Sequence, residues 1–236
     1  MTQTIGELLE AAAERALPVV RGIDDGQLGA GTPCAEYDVR ALVNHLFQVV
    51  VNFQALAARE KVDFGREPEF VAGDWRGGFG DETARLVAAW SVPGVEEGTT
   101  GQMGLPARTV GLMVLGDLTV HAWDLARATG SDFVPEEGVV DELGPGLAAM
   151  APQAREMKVF GEPFPVGEGA TAFERLLAVT GRDPGWRPAG TDGNPGTDGN
   201  PGTDGNPGTD GNPGTDGNPG ADGNPGADGN LGTAGG

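Results

Sequence analysis

The chain reads as an all-α protein: an up-and-down four-helix bundle with additional short helices and a disordered C-terminal tail. Three observations lead there. Apolar residues recur at helical spacing in five or six segments, strand-like alternation is scarce, and from Thr191 the sequence becomes a six-residue repeat, T-D-G-N-P-G. The change of composition near Trp186 divides the chain into a helical domain, 1–187, and a repeat tail, 188–236.

A first helix is expected from Thr4 to about Val20, where Ile5, Leu8, Leu9, Ala12 and Leu17 share a face. The glycine-rich stretch that follows ends at Asp38, which stands at an N-cap position before the second helix, Val39 to Glu60. Leu42, Val43, Leu46, Val49, Val50 and Phe53 give that helix a broad apolar stripe, so it packs against more than one neighbour. After an irregular stretch, D-E-T-A-R-L-V-A-A-W predicts a third helix beginning at Asp81. Pro106 and Thr109 introduce the most apolar helix, V-G-L-M-V-L-G-D-L-T-V-H-A-W-D-L-A-R-A-T, and Gly130 stops it. Shorter helices are expected at Val139 to Ala149 and Thr171 to Thr180, the latter ended by Gly181. K-V-F-G-E-P-F-P-V between them reads as a short extended piece, and modest loops throughout favour a bundle.

In the tail, Thr191, Thr197, Thr203, Thr209 and Thr215 open successive units, and Ala221 and Ala227 open the last two. With two glycines in every six residues and hardly an apolar side chain, this tract buries too little surface to offset the entropy of ordering it. A disordered spacer is expected. Its Asp-Gly-Asn steps lack the apolar residue of a nonapeptide β-roll and the bidentate Glu of an EF-hand loop.

The net charge of −20 includes seven repeat aspartates, unopposed by any Lys or Arg within the repeats. So acidic a surface repels phosphate backbones and anionic membranes, which argues against nucleic-acid or membrane partners. The first twenty residues lack a signal-peptide layout, and no apolar run approaches the roughly 20 residues that span a bilayer. A cytoplasmic protein is expected, and the single cysteine, Cys34, agrees with a reducing compartment.

Packing alone does not explain the pair Asp117 and His121 inside an apolar run. Their i, i+4 spacing stacks both side chains on one helical face, and a carboxylate among Val114, Leu115, Leu118 and Val120 is costly to bury unless a cation or hydrogen-bond donors meet it. The only other histidine, His45, lies midway along the second helix. Two histidines and a carboxylate from two packed helices leave coordination positions open, as catalytic sites do. The plainer alternative is a carboxylate hydrogen-bonded to an imidazole, with no ion. Asp124 lies on nearly the same face and fits an acceptor for an imidazole N–H, or a partner of Arg127 or Arg40. Cys34, with no histidine near it in sequence, reads as a small buried residue, and Trp123 as an interhelical packer.

Three stretches in order, T-P-C-A-E-Y-D-V-R-A-L-V-N-H-L at 32–46, V-H-A-W-D-L-A-R-A-T-G at 120–130 and F-E-R-L-L-A-V-T-G-R-D-P-G-W at 173–186, carry a family likeness. They resemble the actinobacterial metal-binding proteins related to the N-terminal domain of mycothiol-dependent maleylpyruvate isomerase, within the DinB-like superfamily. The resemblance runs from about residue 1 to 187 and implies a four-helix core. It also implies a divalent cation, commonly zinc, held by a second-helix histidine and a later acid-x-x-x-His pair, here His45, Asp117 and His121. The acid in the isomerase is a glutamate, so Asp117 is one methylene shorter, and Tyr37 stands where relatives often have tryptophan. A small-molecule thiol, mycothiol or a similar compound, is implied as cosubstrate. An open cation site lowers the pKa of a bound thiol, whose thiolate attacks an electrophilic substrate in a transferase or isomerase reaction. A metal-dependent hydrolase, a non-catalytic metal-binding or interaction protein, and a bundle with purely structural histidines stay open, as does a homodimer.

Overall fold

The computed structural model describes residues 3–66, 68–101 and 104–188, and these contain six α-helices and one very small sheet. Residues 189–236 of the expected disordered tail lie outside the described residues.

Helix α1, Ile5–Gly22, starts in a capping box: Thr4 Oγ1 accepts from the Glu7 amide and Glu7 Oε2 accepts from the Thr4 amide. Helix α2, Val39–Ala57, is capped by Asp38, whose carboxylate accepts from Ala41 N at 2.8 Å. Helix α3, Trp75–Trp90, begins six residues before Asp81 and is capped by Asp74, whose carboxylate accepts from Gly77 N at 3.1 Å. Gly77, Gly78 and Gly80 conceal the helical period there. At Gly78 a Cβ would lie 3.4 Å from Phe47, so a small residue suits the contact with α2.

Helix α4, Ala107–Thr129, ends as expected at Gly130 in the left-handed region, φ 75°. Helix α5, Glu137–Glu156, contains Pro145 and Pro152 and outruns the expected Val139 to Ala149 by starting at Glu137 and continuing through Pro152. Both prolines are exposed, while Val139, Val140, Leu143, Leu147 and Ala151 are buried; tertiary packing overrides the breakers. Helix α6, Ala172–Val179, opens on a second capping box, Thr171 with Glu174. The stretch expected to be extended, 158–166, is irregular instead, tied to α6 by Phe164 N donating to Ala178 O. The strands are elsewhere: β1, Thr99–Thr100, pairs antiparallel with β2, Leu105–Pro106.

The core is a DinB-like four-helix arrangement. Helices α1 and α2 each pack on both α3 and α4, so they face each other across the core, and α5 lies on the outer side of α4 with α6 beyond it. Gly111 permits the close approach of α4 to its neighbours, since a Cβ there would sit 2.8 Å from Ile5 and 3.0 Å from Trp90. No helix among the described residues is long and apolar enough to cross a membrane.

Candidate metal centre

Helix α4 is buried along most of its length, and on the face it turns towards α2 it carries Asp117, His121 and Asp124. Packing of α2 on α4 brings His45 alongside. The three residues expected from the sequence do converge: one ligand-type atom each from His45, Asp117 and His121 lie within 4.8 Å of one another. His121 Nε2 is 3.8 Å from Asp117 Oδ1, too far for a hydrogen bond. The His45 and His121 rings meet edge to face, centroids 5.2 Å apart at 88°. Tyr37, from the loop before α2, stacks on the His45 ring at 5.1 Å and 20°, which fixes the plane of that ring.

Burial, then His121 and Arg182 nearby, push the pKa of His45 down to about 4, so its imidazole is neutral at physiological pH and keeps a free lone pair. Burial pushes the Asp117 carboxyl up, opposed by His121 and Arg182, although a third of its side chain still reaches solvent. No hydrogen bond reaches that carboxylate from the described residues. A neutral His45 imidazole, the His121 ring and a carboxylate with no hydrogen bond from the described residues, at these separations and with a path to solvent, form a donor set that suits a divalent cation.

Beyond these three lies a second layer. His121 Nδ1 is 3.0 Å from Asp124 Oδ2, the contact with an imidazole nitrogen anticipated for Asp124. Its cationic partner is neither Arg127 nor Arg40: Arg127 donates to Trp186 O and Arg40 to Val71 O, while Arg182 Nη2 donates to Asp124 Oδ2 at 3.2 Å. Cys34 also lies here, its Sγ within 4.8 Å of ligand-type atoms of His121 and Asp124. It is half-buried beside the centre, and burial raises its thiol pKa, partly offset by Arg182. Sequence reasoning missed both Cys34 and Arg182. The stretches that carried the family likeness contain both, T-P-C-A-E-Y holding Cys34 and G-R-D-P-G-W holding Arg182, which was the signal available for each. Trp123 is buried as expected, with the Arg127 guanidinium 5.8 Å over its ring.

Fold and site together define a helical-bundle protein with a two-histidine, one-carboxylate cluster between two core helices. The chain belongs to the mycothiol maleylpyruvate isomerase N-terminal domain family, which it matches over residues 9–126. Residues 184–236 match the collagen triple helix repeat. Two uncharacterized proteins of Mycobacterium tuberculosis, one from strain CDC 1551 / Oshkosh and one from strain H37Rv, are each 31% identical over 166 residues, 66% of this chain and 85% of the relative. No solved structure matches the chain.

Proposed function

We propose that His45, Asp117 and His121 hold a divalent cation, zinc in the first instance, and that the protein is a transferase or isomerase using a small thiol such as mycothiol against an electrophilic substrate. The observation that carries this reading is the convergence of those three side chains within 4.8 Å from two different helices, with no hydrogen bond from the described residues on the Asp117 carboxylate. A cation bound there supplies a Lewis acid that lowers the pKa of an incoming thiol. The protein's part is to prepare the donors. Burial keeps His45 neutral, Tyr37 fixes its ring, and Asp124 accepts from the far nitrogen of His121, which orients the near one. Membership of a family named for a mycothiol-linked isomerase supports the thiol as cosubstrate.

The test is metal content by elemental mass spectrometry on untagged protein, beside His45→Ala and Asp117→Ala. About one equivalent in the parent, lost in both variants, is the expected result. No uptake after add-back in any of the three would sink the metal site. Thiol-dependent consumption of small electrophiles, absent in the same variants, is the expected second result.

A further inference from the structure

The most deeply placed Asp, Glu, Lys and Arg side chains among the described residues are Asp124, 0% exposed, and Arg182, 8% exposed, and both adjoin the candidate centre. Burying such a pair is poor value for stability, because desolvation offsets most of the attraction. A role in fixing geometry accounts for it better. Arg182 is aimed by the end of α6: Arg182 N donates to Leu177 O and Gly181 N to Ala178 O, both at 3.0 Å, the two bonds of a Schellman motif with Gly181 left-handed at φ 88°. Nη1 then donates to Thr180 O at 3.1 Å and Nη2 to Asp124 Oδ2 at 3.2 Å. The same Oδ2 lies 3.0 Å from His121 Nδ1, while Asp124 Oδ1 has no hydrogen-bond partner.

We propose that Arg182 is a positioning residue: acting through Asp124, it locks His121 as the Nδ1–H tautomer, so that the Nε2 lone pair faces Asp117 and His45. The chain of polarity runs one way. A guanidinium has only donors, so Asp124 must accept from it. A carboxylate so engaged offers His121 only acceptor lone pairs, and Nδ1 must donate. A neutral imidazole with its proton on Nδ1 has its lone pair on Nε2, the nitrogen 3.8 Å from Asp117 Oδ1. This reading makes the end of α6 part of the centre, although the family match stops at residue 126. It rests on the proposed metal site only for its consequence in affinity; the tautomer itself is a property of the metal-free protein.

The chain has only two histidines, so the imidazole nitrogens of uniformly 15N-labelled, metal-free protein give two readily separated patterns in long-range 1H–15N spectra, assigned with His45→Gln. His121 is expected to be Nδ1–H in the parent and in Arg182→Lys, which keeps a donor-only cation. In Arg182→Gln the guanidinium that holds the Asp124 carboxylate against Nδ1 is gone, so the carboxylate is free to turn away and the tautomers are expected to mix. Cobalt affinity, from competition with a chromophoric chelator, should fall about tenfold in Arg182→Gln and recover in Arg182→Lys. In an Asp124→Ala background, Arg182→Gln should change it no further. An Nε2–H tautomer in the parent overturns the proposal, and so does an Arg182→Gln protein with unchanged tautomer. Should Arg182→Gln fail to fold by circular dichroism, the parent spectrum and Arg182→Lys still decide. A parent that binds no cobalt yet shows an Nδ1–H tautomer sensitive to position 182 removes the metal reading and keeps this one. Cobalt binding with a tautomer indifferent to position 182 does the reverse.

Discussion

His45 and Asp117 both resist ionisation in the folded protein, and the consequences for stability have opposite signs. In the unfolded chain His45 takes up a proton near pH 6.5, but in the folded protein only near 4. Between those values the unfolded state binds more protons, so this contribution is fully present above about pH 6.5 and is lost as pH falls towards 4. It amounts to at most about 3 kcal/mol. Urea unfolding of metal-free protein should therefore show stability falling over that window, and His45→Gln should flatten the fall; an unchanged slope would mean that His45 is not buried neutral. Asp117 has its pKa raised, so the folded state favours the neutral carboxyl, and that contribution is lost as pH rises. Asp117→Asn is accordingly expected to raise the melting temperature of the metal-free protein at neutral pH while removing metal binding. A lowered melting temperature would show that the carboxylate has a structural partner.

At the level of elements, the sequence disclosed Asp38 as a cap, Thr4 and Thr171 as helix starts, and Gly130 and Gly181 as stops; in the structure the two threonines are N-caps and both glycines are left-handed. It failed where packing overrides local preference. Three glycines hid the first turns of α3, and α5 was expected to end at Ala149, before Pro152, although its buried face runs on to Ala151. Gly181 shows how much one such residue carries. A Cβ there would stand 2.7 Å from the Gly161 backbone, at a φ that side chains rarely adopt. Gly181→Ala is expected to cost roughly 1–3 kcal/mol. Because it displaces Arg182, it should also weaken metal binding; chemical denaturation and chelator competition read the two effects separately. An Ala variant as stable as the parent would show that the segments 161 and 181 are free to move apart.

For the whole molecule, the site draws on four regions: the loop bearing Cys34 and Tyr37, α2, α4, and the turn after α6. The α4 pair was legible because i, i+4 spacing fixes proximity within one helix, and His45 because it is the only other histidine. Cys34 and Arg182 reach the centre only through tertiary packing, which spacing does not reveal. The repeat held a second period: glycine recurs at every third position from Gly190 to Gly235, so each hexad is two Gly-X-Y triplets, the pattern behind the collagen match. The last buried residue among those described is Arg182. Ending the chain after Pro188 should therefore change the unfolding free energy by no more than about 0.5 kcal/mol and leave metal content intact, by calorimetry and elemental analysis. A larger loss would assign the repeats a part in holding the bundle.

The contact of α2 with α4 has one more consequence. It rests on Leu, Val and Phe side chains, whose packing is apolar burial that calls for no ion, so the rings and carboxylate are held in place by the fold itself. Loading and stripping then become reversible ligand exchange on a rigid host, unlike a zinc finger, which collapses when its ion leaves. Dialysis against a chelator should leave the helical circular dichroism spectrum unchanged. On the proposed metal site, the rate of exchange would then be set by access to the third of the Asp117 side chain that reaches solvent, and not by opening of the bundle.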